Sequence, residues 1–364
     1  MQDETYTSSL DAYSRRQLGE LCDRLAEASG SVERDGKWPQ LQMDWYRDAG
    51  VFKWFVPEEY GGYGWSELQQ LEGYLELSQS CLTTTFILTQ WVAACRRIAG
   101  GSNNRLKERL LPDLAAGRRF ATVGISHLTT SRQHVAKPVL MAEEQDDGFR
   151  LQGFTPWVTS ASSADTLVIG ATHSDGRQIM CAVPAEREGL RPAPGQPLVA
   201  LTASCTDSIE FDNVLVEFDE IIDGPVENVM SINSGGGAGG LQTSTLAIGL
   251  SLAAVKFLVK QAELRSDLAA VATKLQQDVA QLRQGLFSLT AGENTSWTNN
   301  DLRQQANSLV LRSTQAALSA AKGAGFLASH PTGRWAREAL FFLVWSCPQP
   351  IVAANLCELA QLSH

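Results

Sequence analysis

The first third of the chain carries hydrophobic residues at helical spacing. An early stripe is formed by Leu18, Leu21, Leu25 and Ala28. A repeat of three to four residues predicts a helix with one buried face. A glycine-rich loop at residues 57–64 interrupts the pattern. The remaining helical segments are residues 41–55, 68–77, 83–98 and 104–116. Residues 1–118 are therefore predicted to form an N-terminal helical domain.

The pattern changes at residue 119, where short runs of β-branched and alternating residues begin. Such runs predict strands, and they occupy residues 121–125, 149–154, 166–171, 179–183 and 208–211. Asp-Gly pairs separate some of them, and Asp212-Asn213 is expected to form a further turn. Residues 119–225 are therefore predicted to form a middle antiparallel β domain.

Helical spacing returns after a glycine-rich stretch at residues 231–240. The recurring apolar residues are Leu246, Leu250 and Ala254, then Leu275, Val279, Leu282 and Leu286. Further helices are predicted at residues 301–321, 337–344 and 353–362. Residues 226–364 should then form a C-terminal four-helix bundle. Helices, strands and helices in this order predict an α+β fold with three domains.

Composition argues against several partners. The net charge is −10, whereas binding to nucleic acids or anionic membranes requires a basic face on the protein. The longest apolar runs are expected to be too short or too interrupted to span a bilayer. Seven cysteines without a CxxC pair predict reduced thiols, and five histidines without ligand spacing predict no metal site. The N-terminal residues lack a basic signal segment, so the expected location is the cytoplasm.

Three motifs together resemble one protein family. Residues 153–161 read Gly-Phe-Thr-Pro-Trp-Val-Thr-Ser-Ala, and residues 56–65 read Val-Pro-Glu-Glu-Tyr-Gly-Gly-Tyr-Gly-Trp. Residues 209–214 read Ile-Glu-Phe-Asp-Asn-Val. With the order of the domains, they resemble the acyl-CoA dehydrogenase superfamily of flavoproteins over nearly the whole chain. The resemblance implies that family's three-domain fold and an FAD cofactor, with FMN or reduced flavin from a reductase as the alternative.

The resemblance assigns cofactor and substrate contacts to particular positions. It places Trp157 against the dimethylbenzene side of the flavin ring and Thr159 near the flavin N5 atom. It places Arg265 at the FAD pyrophosphate of a partner subunit. Ser131 and Arg132 fall in the turn over the flavin and substrate, where Arg132 would hold an anionic group. The other implied flavin contacts are Val123, Ile125 and Ser126.

The chain departs from the family at the residues used for catalysis and for holding CoA. The family's catalytic Glu follows a sequence motif that residues 334–345 match here, and the next residue in this chain is Ser346. The alternative position of that carboxylate falls near Gly239. The CoA-holding Asp and Arg fall at Gly237 and Gly240. A serine hydroxyl without an activating partner does not remove an α-proton.

Three functions remain open after these departures. The first is flavin-dependent CH–CH oxidation of an acyl thioester or related acyl substrate, with Ser346 at the position of the usual Glu. The second is a reduced-flavin-dependent monooxygenase of the same fold, which needs no α-proton base. The third is a non-catalytic relative. The first function is preferred because the fold and the pair Trp157 and Thr159 favour it.

The same resemblance implies the partners. An electron-transfer protein or a flavin reductase would exchange electrons with the enzyme. Residues 340–345, Leu-Phe-Phe-Leu-Val-Trp, are apolar on every side, and bundles of this family pair. A homodimer or homotetramer is therefore expected. Glu338 falls where the family has a structural acid, so a salt bridge is expected there.

Overall fold

The protein forms two compact units. The computed structural model describes residues 8–129, 138–232 and 240–362. The helical unit contains the described parts of Met1–Arg34, Trp65–Thr85 and Gly239–His364. The sheet unit contains those of Asp35–Gly64 and Phe86–Ala238. Each unit combines separate chain segments, and the domain boundaries inferred from the sequence stay a prediction.

The helices lie where apolar residues recur with helical spacing. Their bounds are α1 (Ala12–Asp35), α2 (Gln40–Asp48), α3 (Glu67–Ser80), α4 (Leu82–Gly100), α5 (Asn104–Ala115), α6 (Ser126–Thr129), α7 (Leu241–Ala262), α8 (Ala269–Thr290), α9 (Asn299–Ala321), α10 (Pro331–Leu340) and α11 (Gln349–Leu359). Leu18, Leu21 and Leu25 of α1 are buried, as the periodicity predicts. Short 3₁₀ turns connect several helices, including one over Phe341–Leu343.

The helical unit is built around α7. The predicted stripe residues Leu246, Leu250 and Ala254 are buried, and Gly249 allows close approach to α3. A capping box begins α9, where the side chains of Thr298 and Asp301 bond to each other's backbone N–H groups. Caps of this kind satisfy backbone donors that would otherwise lack partners.

The sheet unit holds one eight-stranded sheet. Its strands are β1 (Ala121–Gly124), β2 (Leu140–Gln145), β3 (Gly148–Val158), β4 (Thr166–His173), β5 (Gln178–Pro184), β6 (Leu190–Pro192), β7 (Asp207–Glu217) and β8 (Ile221–Val226). They lie in the order β6-β7-β3-β2-β4-β5-β8, and β1 pairs with β4. The predicted helix–sheet–helix architecture is confirmed by these elements.

Two details of the β prediction were wrong. The sheet is mixed, because β1 and β2 both run parallel to β4. Residue patterns identify strands but not their direction, since direction depends on the crossover between them. Asp212 and Asn213 lie inside β7 rather than in a turn. Asn213 has φ of 56° and lies beside a register shift between β3 and β7. The residues that predicted a turn therefore form a β-bulge within the strand.

Among the described residues, one helix is long and apolar enough to span a membrane, whereas the apolar runs were predicted to be too short or too interrupted. Helix α7 has 22 residues and a mean hydropathy of 1.4 in its most apolar window, of which 72% is buried inside the protein. A central core helix has the same properties. All seven cysteines are free thiols, as predicted, and five of them are buried.

Candidate functional site

Trp157 is the most exposed tryptophan of the sheet unit. It lies near the end of β3, where the register against β7 shifts between Thr155 and Val158. Its φ is 56°, in the left-handed region that bulky residues rarely adopt. The bulge turns the indole outward, and 58% of Trp157 is exposed. Exposure of so large an apolar group on a strained backbone is typical of a binding surface.

An open cleft of about 720 Å³ adjoins this indole. Its acidic residues are Asp207, Glu210 and Asp212, and Arg191 supplies a positive charge. Arg191 Nη2 lies 3.1 Å from Asp212 Oδ2, so that charge is already paired. The remaining lining residues are Gln152, Gly153, Phe154, Pro156, Trp157, Gln196, Ser208 and Phe211. The wall beside Trp157 suits a flat ring, whereas the acidic wall opposes a phosphate group.

Of the other predicted ring contacts in the sheet unit, the structure places Ser126 beside the residue that precedes Trp157. Val123 is buried on β1, whereas Ile125 and Ser126 follow that strand and are partly exposed. Ser126 Oγ donates a 2.7 Å hydrogen bond to the carbonyl oxygen of Pro156. This bond holds the start of α6 against the residue that precedes Trp157. Their contact with a flavin stays a prediction.

Thr159 faces the interior. Only 1% of it is exposed, and its hydroxyl lies 3.0 Å from the hydroxyl of Thr206. Thr206 Oγ1 lies 2.8 Å from Ser204 Oγ, and Thr122 Oγ1 donates to the carbonyl of Thr159 over 2.6 Å. This chain of buried hydroxyls fixes the strand end behind Trp157. The predicted contact between Thr159 and flavin N5 stays a prediction.

His127 stiffens the same region from the inside. Its Nε2 lies 3.0 Å from the carbonyl oxygen of Gly170, and its Nδ1 lies 3.0 Å from Thr155 Oγ1. The carbonyl can only accept, so Nε2 carries the proton and Nδ1 accepts from the threonine. Burial lowers the pKa of His127 to about 4, which keeps the ring neutral at pH 7. Sequence reasoning missed Thr155, because the predicted strand ended at residue 154, whereas β3 continues to Val158.

Ser346 belongs to the helical unit and lies in the turn that follows α10. It is half-buried and has φ of 49°. Arg303 of α9 holds this turn, because its Nη2 donates to the carbonyl oxygen of Trp345 over 2.9 Å. Within the described residues, the Ser346 hydroxyl bonds to no histidine or carboxylate that could activate it. Ser131, Arg132, Gly237 and Gly239 lie outside the described residues.

Arg265 and Glu338 make structural contacts within the helical unit. Arg265 Nη1 donates to the carbonyl oxygen of Ala320 at the end of α9 over 2.7 Å, and Nη2 pairs with Asp267 at 3.1 Å. Glu338 forms the expected ion pair, with Arg334 Nε 3.3 Å from its Oε1. That N–H does not point at the carboxylate, so the pair lacks a hydrogen bond. Burial raises the pKa of Glu338 to about 7.

The described residues include no cluster of metal ligands, but they do include an exposed aromatic platform. Within residues 8–129, 138–232 and 240–362, no three His, Cys, Asp or Glu side chains converge as metal ligands. The sheet unit instead offers a strained, exposed indole beside a cleft. Those features fit the ring of a flavin, and Trp157, Ile125 and Ser126 are the residues that would hold it.

Comparisons with known proteins find similarity to one family. A model of the acyl-CoA dehydrogenase N-terminal domain matches residues 15–118. The short-chain specific acyl-CoA dehydrogenase of Mus musculus mitochondria is 21% identical over 353 residues, which cover 90% of this chain and 85% of the mouse protein. The isovaleryl-CoA dehydrogenase of Solanum tuberosum is 24% identical over 347 residues, with coverages of 88% and 82%.

Solved structures show the same fold. Butyryl-CoA dehydrogenase from Megasphaera elsdenii has a TM-score of 0.83 at 17% identity, and the match covers 98% of this chain and 100% of that chain. Dibenzothiophene monooxygenase from Paenibacillus sp. A11-2 has a TM-score of 0.78 at 17% identity, with coverages of 94% and 95%. An FMN-bound structure of the latter protein matches equally well. Dehydrogenases and a monooxygenase thus share this fold.

Proposed function

We propose that this chain is a member of the acyl-CoA dehydrogenase superfamily and a flavoprotein oxidoreductase whose flavin ring stacks on Trp157, which the family-model match and the curated relatives support. The exposed indole is the observation that carries this assignment. Ser126 holds the backbone beside the indole, and neutral His127 anchors α6 to β3 and β4. These contacts would fix the platform before the cofactor arrives, which reduces the ordering cost of binding.

Between the two chemistries left open, the residues favour reduced-flavin-dependent monooxygenation. Removal of an α-proton in a dehydrogenation requires a base. Ser346 has no described partner that could activate it, and the glycines of residues 235–240 offer no carboxylate. A bound reduced flavin supplies two electrons to dioxygen, and this reaction requires no base to remove an α-proton. FMN or FAD would come reduced from a separate reductase, and the substrate would be a neutral molecule beside Trp157.

Acyl-thioester oxidation is the second candidate, and Ser346 is its proposed base position. The family relatives named above are acyl-CoA dehydrogenases, which supports it. In that case Ser131 and Arg132 would contact the substrate, and Arg265 would approach the cofactor. An electron-transfer protein would then be the partner.

Flavin binding is tested with Trp157→Ala. We expect a loss of about fivefold to 150-fold in FMN or FAD affinity, since stacking on an aromatic platform contributes about 1–3 kcal/mol. Tyr13→Ala is the matched control, because Tyr13 is also an exposed aromatic but lies on α1. Equal flavin affinity in wild type and Trp157→Ala would contradict the proposed platform.

The two chemistries are separated by anaerobic titrations. A monooxygenase should bind reduced FMN or FAD more tightly than the oxidised form, and butyryl-CoA should leave oxidised flavin unbleached. A dehydrogenase should bind oxidised FAD stoichiometrically, and butyryl-CoA or a longer acyl-CoA should bleach it. Bleaching by an acyl-CoA would refute the monooxygenase proposal.

Exposed apolar residues and the free cysteines support the proposed oligomeric state and the proposed cellular location. Leu340 and Val344 are 46% and 76% exposed, so the predicted apolar run presents a surface for a second copy. We therefore propose a homodimer or homotetramer, which light scattering after size exclusion can measure. Free, mostly buried cysteines suit a reducing compartment, so a cytoplasmic location is part of the proposal.

A further inference from the structure

The core of the helical unit contains a buried positive charge. Arg303 is 1% exposed on α9, and among residues 8–129, 138–232 and 240–362 it forms no ion pair with a carboxylate. Its Nε and Nη1 have no hydrogen-bond partner in that part of the chain. Arginine keeps its proton in proteins, so burial does not neutralise it. A buried guanidinium without a counter-charge is strongly unfavourable, and the groups that touch Arg303 must therefore balance its charge.

The guanidinium contacts an ionisable sulfur. Arg303 Nη2 donates to the carbonyl oxygen of Trp345 over 2.9 Å and lies 3.6 Å from Cys347 Sγ. Burial lowers the pKa of Arg303, and the sulfur of Cys347 is the group that opposes this effect. A cation beside a cysteine favours the thiolate over the thiol. Ionised Cys347 would thus supply the negative charge that the core otherwise lacks.

Two backbone carbonyl groups act against this ionisation. Cys347 Sγ lies 3.3 Å from the carbonyl oxygen of Phe342 and 3.5 Å from that of Trp345. A thiol can donate its proton to one of these oxygens, but S–H is a weak donor. Leaving a buried guanidinium without a counter-charge costs more free energy than a weak S–H bond contributes. The balance of the two effects therefore favours the thiolate.

Cys347 also differs from the other cysteines in its combination of exposure and charge. Five cysteines are buried, whereas Cys347 and Cys357 are partly exposed. Within the described residues, Cys357 of α11 forms no hydrogen bond or ion pair with a basic side chain. A partly exposed thiol beside a cation is typical of a reactive cysteine, and Cys347 alone among the described thiols has both features.

We propose that Cys347 is a site of reversible oxidation by peroxide and that Arg303 keeps its sulfur in the reactive form. The sulfur attacks one oxygen atom of hydrogen peroxide, so that an S–O bond forms and the O–O bond breaks. Sulfur loses two electrons, and the departing hydroxide takes a proton from the solvent, which leaves a sulfenic acid and water. A small thiol condenses with the sulfenic acid, and a second thiol releases Cys347. This site is independent of the flavin proposal.

The first experiment compares the alkylation rates of Cys347 and Cys357 in the native protein at neutral pH. Iodoacetamide labelling, followed by peptide mass spectrometry, should modify Cys347 about tenfold faster, since only a few per cent of an ordinary thiol is ionised at that pH. Arg303→Met should remove the difference, and Arg303→Lys should retain most of it. Arg312→Met is the matched control on the same helix and should change nothing, because Arg312 is half-exposed.

A second experiment measures the oxidation itself and covers the case in which Arg303→Met does not fold. Wild-type protein is treated with hydrogen peroxide and dimedone, which traps sulfenic acids. Dimedone should mark Cys347, and Cys347→Ser should lower the thiolate ultraviolet absorption of the native protein. Equal alkylation of Cys347 and Cys357, or dimedone mainly on Cys357, would overturn the proposal. Fast alkylation of Cys347 in a folded Arg303→Met variant would also overturn it, because exposure alone would then explain the reactivity.

Discussion

Gly249 of α7 and Ser78 of α3 lie so close that a Cβ on Gly249 would stand 1.9 Å from Ser78 Oγ. The backbone carbonyl oxygen of Leu75 would be 2.8 Å away. Ser78 Oγ is itself held by a 2.7 Å hydrogen bond to the carbonyl of Tyr74. The two helices therefore meet at a point where only glycine fits.

Gly249→Ala should lower the free energy of unfolding by about 1–3 kcal/mol through overpacking, although alanine favours helix more than glycine does. Gly19→Ala in α1 is the control, because nothing lies within 4 Å of its added Cβ. That change should stabilise the protein by up to about 1 kcal/mol. Equal effects of the two substitutions in urea unfolding would contradict the close approach.

His127 should make the protein lose stability in acid. The unfolded ring binds a proton below its ordinary pKa of 6.5, whereas the folded ring does so only near its pKa of about 4. Its contribution is therefore fully present above pH 6.5 and falls by about 3 kcal/mol as the pH drops to 4. His127→Asn should be less stable at pH 7 but should show a flatter pH dependence between 6.5 and 4, measured by urea unfolding.

Glu338 should make the protein lose stability as the pH rises, which is the opposite of the effect of His127. Its folded pKa of about 7 lies above the ordinary value of 4.5, so the folded protein binds the proton more tightly. Stability from this group is greatest below pH 4.5 and declines as the pH rises to about 7. Arg334, Arg337 and Glu33 also act on this carboxyl.

Glu338→Gln removes that titration. The difference in unfolding free energy between the variant and the wild type should move in favour of the variant by about 3 kcal/mol between pH 4.5 and pH 8. A difference that stays constant over this range would show that the carboxyl is not buried in the native protein.

Trp157→Gly should separate stability from function. Glycine adopts the left-handed conformation freely, so relief of backbone strain should offset the loss of the indole and leave the unfolding free energy within about 1 kcal/mol. Flavin affinity should nevertheless fall by about fivefold to 150-fold. Asn213→Gly is the control, since Asn213 has the same φ of 56°. It should leave flavin binding unchanged.

The sequence predicts the architecture well because its helices and strands have strong periodic patterns. Leu18, Leu21 and Leu25 are buried where the repeat places them. The predicted strand at residues 149–154 lies within β3, which continues to Val158 and so includes Trp157. The parallel pairing of β1 with β4 was missed, because register and direction depend on contacts distant in sequence.

The polar interior of both units could not be predicted in the same way. Thr206 becomes a partner of Thr159, and Ser204 a partner of Thr206, only after β7 folds beside β3. The sequence did indicate that Arg303 is unusual, because it lies beside buried positions of α9 where charged residues are rare. A charged residue on an apolar helix face indicates a buried partner, but the sequence does not identify that partner.

The distribution of thiols gives the protein a built-in set of reporters for local opening. Cys22 and Cys81 are buried in the helical unit, and Cys95, Cys181 and Cys205 are buried in the sheet unit. Burial raises the pKa of the Cys22 thiol to about 12, so it stays unreactive while its surroundings remain folded. Pulses of a thiol reagent, followed by peptide mass spectrometry, would time the exposure of each unit separately. The wild-type chain can therefore reveal which unit loosens first without any introduced probe.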